Sequence, residues 1–202
     1  MSWLYLIADF SCKEETLAAI LDAGIDYIQL REKHISSAEY LKRARKLREM
    51  TAGTQTKLII NDRVDIALLS EADGVHLGQS DIPVKDARDC LGPGKIIGAT
   101  AKTVEQARQA VEEGADYLGS GAWFPTETKQ DAVPISEEMY RAILREAPIP
   151  NVAVGGINAA NGRKPLLCGA SGLAISAGIL KAQNPVEEVK KVRRLLEEFA
   201  RA

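Results

Sequence analysis

A chain of 202 residues, 46% of them hydrophobic, is long enough to bury a core as one domain over residues 1 to 202 without metal or disulfide support. Its 26 basic and 28 acidic side chains cancel to a formal charge of -2 and no Lys/Arg cluster dominates a segment, which excludes the electrostatic footprint of a nucleic-acid partner. Cys12, Cys90 and Cys168 lie far apart without CxxC spacing, against a disulfide framework or structural zinc, and no apolar run approaches the roughly 18 residues of a membrane span.

The first apolar run, Leu4 to Ala8, follows no basic region and meets Asp9 directly. It reads as a strand and not a signal peptide, so a cytoplasmic protein is expected. Runs rich in Val, Ile, Leu and Tyr recur at Tyr27 to Arg31, Lys57 to Asn61, Gly74 to Leu77, Lys95 to Thr100, Tyr117 to Ser120, Asn151 to Val154 and Gly172 to Ile175. Between them lie charged, helix-periodic stretches at Ala38 to Met50, Val104 to Glu113, Glu137 to Glu146 and Val186 to Ala200. In the last, Val186, Val189, Val192, Leu196 and Phe199 make one apolar stripe, expected to cover the sheet rather than bind a partner.

Four phrases share a theme: Ala23-Gly24-Ile25-Asp26-Tyr27, Glu71-Ala72-Asp73-Gly74, Glu113-Gly114-Ala115-Asp116-Tyr117 and Cys168-Gly169-Ala170-Ser171-Gly172. Each puts a glycine or small residue where a helix stops and turns back into a strand. Strand and helix alternating eight times, about 20 to 25 residues apart, predict an α/β protein of the (β/α)8 TIM-barrel class. An open doubly wound sheet fits less well, because residues 8 to 13 contain no glycine and so lack a dinucleotide-binding turn.

In such a barrel the chemistry sits at the C-terminal ends of the strands. A period of two puts Gln29, Arg31 and Lys33 on one side and Leu30 on the other, so the two cations follow Gln29 if it faces the lumen. Cations aimed into a barrel mouth meet either a bound anion or an internal salt bridge, here to Glu32 or Asp9. Asp62 and Asp81 follow the third and fourth strands. Each alone fits a helix N-cap; together they suit Mg2+, which takes one or two carboxylates, water and substrate phosphate.

The stretch from Gly119 to Lys129 is too long for a plain connection, and Thr126, Thr128 and Lys129 suit phosphate oxygens. Gly155, Gly156 and Gly178, after the seventh and eighth strands, let backbone N–H groups approach a ligand where such barrels carry a recurring phosphate site. His34 and His76 have no obvious base partner and read as structural or substrate-packing residues.

Six motifs occur in order: Gln29-Leu30-Arg31-Glu32-Lys33, Asn61-Asp62-Arg63-Val64-Asp65, Ala72 to Gln79 with Asp81, Phe124-Pro125-Thr126-Glu127-Thr128-Lys129, Gly155-Gly156-Ile157 and Ile175-Ser176. Through them the chain resembles the thiamine-phosphate synthase family over nearly its whole length. The resemblance implies a transferase that joins an aminopyrimidine methyl diphosphate to a thiazole phosphate, giving thiamine phosphate and pyrophosphate. Its partners would be these small molecules, its cofactor Mg2+, and its assembly a monomer or small homo-oligomer. It implies that Gln29, Leu30, Arg31, Glu32, Lys33 and Asn61 bind the pyrimidine diphosphate and that Asp62 and Asp81 bind Mg2+. Thr126, Glu127, Thr128, Gly156, Ile175 and Ser176 would hold the thiazole phosphate, and Thr100 and Lys129 would contact the diphosphate. Catalysis would fall to Arg31, Lys33 and Lys129, which neutralise the departing anion.

Two departures stand out. The family usually has a serine followed by Thr-His where this chain has Thr100-Ala101-Lys102, and Gly-Pro where it has Gly121-Ala122. A thiazole tautomerase of the same superfamily is the nearest rival, but it uses a histidine where this chain aligns Ala122. A non-catalytic sensor of thiamine precursors is the rival from another class, favoured only by Thr100.

Overall fold

The computed structural model describes residues 2–125 and 134–200 and is a closed parallel barrel with strand order β1 to β8. The strands are Trp3–Ala8 (β1), Tyr27–Leu30 (β2), Lys57–Asn61 (β3), Gly74–Leu77 (β4), Ile96–Thr100 (β5), Tyr117–Ser120 (β6), Asn151–Val154 (β7) and Gly172–Ile175 (β8). β8 closes on β1 from Trp3↔Gly172 to Leu6↔Ile175. The eight expected strands are therefore present, with two ends trimmed. Arg31 lies outside β2, although its N–H still reaches the Ala8 carbonyl at 2.9 Å. Lys95 precedes β5 and donates its ammonium to the Ala72 carbonyl.

The helices are Glu14–Asp22 (α1), Ser37–Thr51 (α2), Val64–Leu69 (α3), Val84–Leu91 (α4), Val104–Glu112 (α5), Glu137–Glu146 (α6), Arg163–Leu167 (α7), Ala177–Leu180 (α8) and Pro185–Ala200 (α9). α2, α5 and α6 start at Ser36, Thr103 and Ser136, whose hydroxyls accept from the backbone N–H three residues on. α9 lays its stripe of Val189, Val192, Leu195 and Leu196 over β1, between α1 and α8, as an amphipathic cover should.

Alternation along the strands divides the apolar residues into two cores. One lies between barrel and helices and takes residues such as Leu4, Ile28, Leu58, Ile60 and Leu118. The other fills the lumen with Tyr5, Ile59, Tyr117, Val152 and Ala174, joined at its edge by Trp3 and Tyr27. Small residues make room for the large ones: a Cβ on Gly98 would meet the Tyr117 ring at 2.1 Å.

The four repeated phrases have a common purpose at the N-terminal end of the barrel. Asp26, Asp73 and Asp116 each accept from the backbone N–H of the second residue of the neighbouring strand, at Leu4 (2.7 Å), Leu58 (2.9 Å) and Ile97 (2.7 Å). Ser171 likewise accepts from the N–H of Asn151, the first residue of β7, at 3.1 Å. Helix arginines close three of the four clasps: Arg193 on Asp26, Arg48 on Asp73 and Arg88 on Asp116. Two residues before each clasp the chain turns left-handed, at Gly24, Glu71, Gly114 and Gly169. In the second phrase the expectation of a glycine or small residue at the turn fails, since Glu71 takes it with φ 54.

Candidate active site

The C-terminal end of β2 presents fewer side chains to the mouth than a strict period of two suggests. Gln29 faces the lumen and is buried, donating its amide N–H to the Tyr5 hydroxyl at 2.9 Å. Leu30 is buried against the helices and its carbonyl accepts from the Tyr40 hydroxyl, so its side chain does not reach the mouth and it has only main chain to offer. Glu32 is likewise committed to the fold, paired with Arg43 at 2.6 Å and accepting from the Phe10 N–H. Asp9 accepts from Ser11 N–H. Neither carboxylate takes up Arg31 or Lys33, which have no ion pair among the described residues. Because β2 ends at Leu30, the alternation lapses: Arg31 is half-buried and Lys33 is exposed.

Asp62 and Asp81 do not cap helices. α3 and α4 start after Arg63 and Pro83, and neither has a side-chain cap. Asp62 instead sits in a left-handed turn, φ 62, with its N–H on the His76 carbonyl. Asp81 folds back to accept the Gly78 N–H at 2.6 Å. The Asp81 carboxyl stands near enough to act on that of Asp62. Burial, then the Asp81 carboxylate, pushes the Asp62 carboxyl up to about 6, against the pull of Arg31 and the Asn61 amide. Asn61 itself gives its carbonyl to Tyr40 at 3.0 Å.

Five side chains from five strands form one hydrogen-bonded chain across the lumen. Gln29 meets Tyr5, Tyr5 meets Tyr117 at 2.8 Å, Tyr117 meets Nδ1 of His76 at 3.0 Å, and Nε2 of His76 meets the Thr100 hydroxyl at 3.0 Å. His76 therefore has a structural partner on each side, and burial pushes its ring down to about 4 despite the nearby Asp81 charge. The Thr100 carbonyl accepts from the Gln79 amide at 2.6 Å. His34 is exposed, in a left-handed turn. Tyr5 and Tyr117, deep in the lumen, and Gln79, at the mouth, are residues around His76 and Thr100 that the sequence reading passed over. The signal for the tyrosines was their inward alternation along β1 and β6.

The opposite side of the mouth is assembled from the ends of β6, β7 and β8. Trp123 and Phe124 donate their N–H groups to the Val154 and Gly155 carbonyls, so the segment after β6 runs along the end of β7. Gly156, φ 65, is where these segments touch: a Cβ there would lie 2.5 Å from the Pro125 carbonyl oxygen. Gly178 is equally tight against the Ile157 carbonyl. Ile175 is buried on the helix side, so it too has only main chain to offer a ligand. Ser176 precedes the short helix α8 and does not cap it with its side chain. Thr126, Glu127, Thr128 and Lys129 lie outside the described residues.

Among the described residues no group of three or more His, Cys, Asp or Glu side chains is placed to hold a metal ion. That donor set does not fit an all-protein cage. It does fit a hard divalent cation such as Mg2+, which takes one or two carboxylates and leaves its other positions to water and phosphate. Burial is the larger cause of the raised Asp62 carboxyl and the Asp81 charge the second, and the second is what such a cation relieves.

Comparison with known proteins agrees in sequence and shape. The family model described as thiamine monophosphate synthase matches residues 4–179. A thiamine-phosphate synthase of Clostridioides difficile is 45% identical over 197 residues, covering 93% of this chain and 92% of the relative. One from Methanobrevibacter smithii is 41% identical over 186 residues, covering 90% and 89%. The solved thiamine phosphate pyrophosphorylase of Pyrococcus furiosus superposes with a TM-score of 0.89 at 36% identity, over 98% of this chain and 96% of that one.

Proposed function

The chain belongs to the thiamine monophosphate synthase family, and we propose that it makes thiamine phosphate by joining the two phosphorylated precursors across its barrel mouth. It is a transferase acting on small molecules, as its relatives' name, thiamine-phosphate synthase, implies. The observation that carries the site assignment is the pairing of Asp62 with Asp81 next to Arg31, whose charge no ion pair among the described residues neutralises.

In this reading the pyrimidine diphosphate lies over the ends of β2 to β5. Gln29, Arg31, Lys33, Asn61 and Thr100 face it, with Leu30 contributing main chain and Glu32 holding its segment in place through Arg43. Asp62 and Asp81 would hold Mg2+, which supplies charge neutralisation for the diphosphate. The thiazole phosphate lies over β6 to β8, against Gly156 and Ser176, the main chain at Ile175, and residues 126–129.

The chemistry asks for no general base. The thiazole nitrogen attacks with its own lone pair, so no proton must leave it. The C–O bond to the diphosphate breaks with its electron pair on oxygen, and a C–N bond forms at the same methylene carbon. Arg31, Lys33 and Lys129 stabilise the departing anion, and the mouth holds the two partners in line. That both ring nitrogens of His76 are occupied by hydroxyls supports a site without a proton-transfer step. A tautomerase reading finds no support at residue 122, where the buried alanine has no side-chain group that can give or take a proton.

The proposal extends to a cytoplasmic monomer or small homo-oligomer; no helix among the described residues is long and apolar enough to cross a membrane. The test is to mix the protein with both precursors and Mg2+ and oxidise the product to fluorescent thiochrome. Fluorescence that depends on both precursors and on Mg2+ is expected. Its absence from protein that still binds both would return the chain to a sensor.

A further inference from the structure

We propose that Gln29, Tyr5, Tyr117 and His76 are positioning residues that orient the Thr100 hydroxyl as a hydrogen-bond donor into the barrel mouth, towards the diphosphate of the substrate or the departing pyrophosphate. The inference rests on the reading that a diphosphate lies beside Thr100.

The polarity follows from counting protons. The amide nitrogen of Gln29 faces Tyr5, so the Tyr5 oxygen accepts from it. Tyr5 then has one hydrogen left and one remaining partner, the Tyr117 oxygen at 2.8 Å. Tyr117, having accepted, donates to Nδ1 of His76. With Nδ1 an acceptor, the ring carries its proton on Nε2, which donates to the Thr100 oxygen at 3.0 Å. The Thr100 hydrogen is what is left over.

The reverse polarity, or a doubly protonated ring, makes Tyr117 donate to Tyr5. Tyr5 would then accept twice and its own buried hydrogen would have no acceptor among the described residues, a cost that buried groups avoid. The burial that holds the His76 ring neutral agrees with the first polarity. The barrel is shaped around this chain of groups. Gly98 vacates the space of the Tyr117 ring, and a Cβ on Gly119 would press on His76 at 3.0 Å. A donor fixed before an anion arrives binds it without reorganisation, whereas a free hydroxyl rotor must be ordered.

Two measurements test this on the full-length protein. Long-range proton–nitrogen correlation of labelled protein at pH 7.5 reads the tautomer of His76, told apart from His34 by a His34→Gln sample. Protonation on Nε2 is expected; protonation on Nδ1 overturns the proposal without any substitution in the barrel. Calorimetry with Mg2+ and inorganic pyrophosphate then compares Thr100→Val, Tyr117→Phe and the double variant. Thr100→Val should bind roughly tenfold more weakly, Tyr117→Phe several-fold, and the double variant no more weakly than Thr100→Val, while Thr100→Ser restores affinity. If Thr100→Val binds like wild type, the site reading and the proposal fall together. If Thr100→Val weakens binding but Tyr117→Phe does not, or if the two losses add, the proposal falls and the site reading stands.

Discussion

The Asp81 carboxyl, which follows β4, stands near enough to raise that of Asp62, which follows β3. Burial first, and the neighbouring Asp81 carboxylate second, push the Asp62 carboxyl up to about 6, above the usual carboxylate range. The folded-state value lies above the unfolded one. The stability it confers is therefore full below about pH 4 and is lost as pH rises through about 6. A divalent cation reverses that penalty. Mg2+ should raise the melting temperature more at pH 7.5 than at pH 5, and Asp81→Asn should shrink the difference. Equal shifts at both pH values would remove the pair as the metal site.

Asp62→Ala should leave a folded barrel, since the carboxylate caps no helix. Thiochrome formation should fall by orders of magnitude, and raising Mg2+ should not restore it. Recovery at high Mg2+ would place the metal elsewhere.

Glu71 bears a left-handed backbone, φ 54, where the three equivalent turns use glycine. Glu71→Gly relieves a strain of about 1 kcal/mol, offset in part by greater freedom of the unfolded chain. A small increase in the urea midpoint with unchanged kcat is expected; a decrease would show that the Glu71 side chain contributes more than its backbone costs.

Gly156→Ala puts a Cβ against the Pro125 carbonyl in a conformation alanine resists. The segment after β6 must move away from the end of β7. The KM for thiazole phosphate should rise several-fold, with the KM for the pyrimidine diphosphate little changed. A parallel rise in both would contradict the division of the mouth into two halves.

Asp73→Ala removes a partner from both Leu58 N–H and Arg48. The expected loss is about 2 kcal/mol of stability, read by urea denaturation, without a change in KM. A KM effect would link the two ends of the barrel more tightly than the architecture implies.

The strands were legible because each is a short apolar run with turn chemistry behind it, and the (β/α)8 class followed from their repetition. Strand ends were less legible. Nothing in Gln29-Leu30-Arg31 announces that pairing stops at Leu30, so the alternation that placed Gln29 correctly could not be carried on to Lys33. Leu30 and Ile175 belonged to the resembling motifs yet point into the helix-facing core. The aspartates of the repeated phrases were visible, but their partners are N–H groups one strand back, which no local pattern marks. Tyr5 and Tyr117 meet across the lumen at a separation of 112 residues, beyond any local reading.

The clasps at Asp26, Asp73, Asp116 and Ser171 divide the barrel into four two-strand quarters fastened in the same way at one end. At the other end the quarters have nothing in common: cations after β2, carboxylates after β3 and β4, a hydroxyl on β5, glycines after β7. A uniform fastening leaves the working end free of repetition. The fastening of each quarter is thus independent of the groups it carries at the mouth, and the β5–β6 quarter stands where the two precursors would meet.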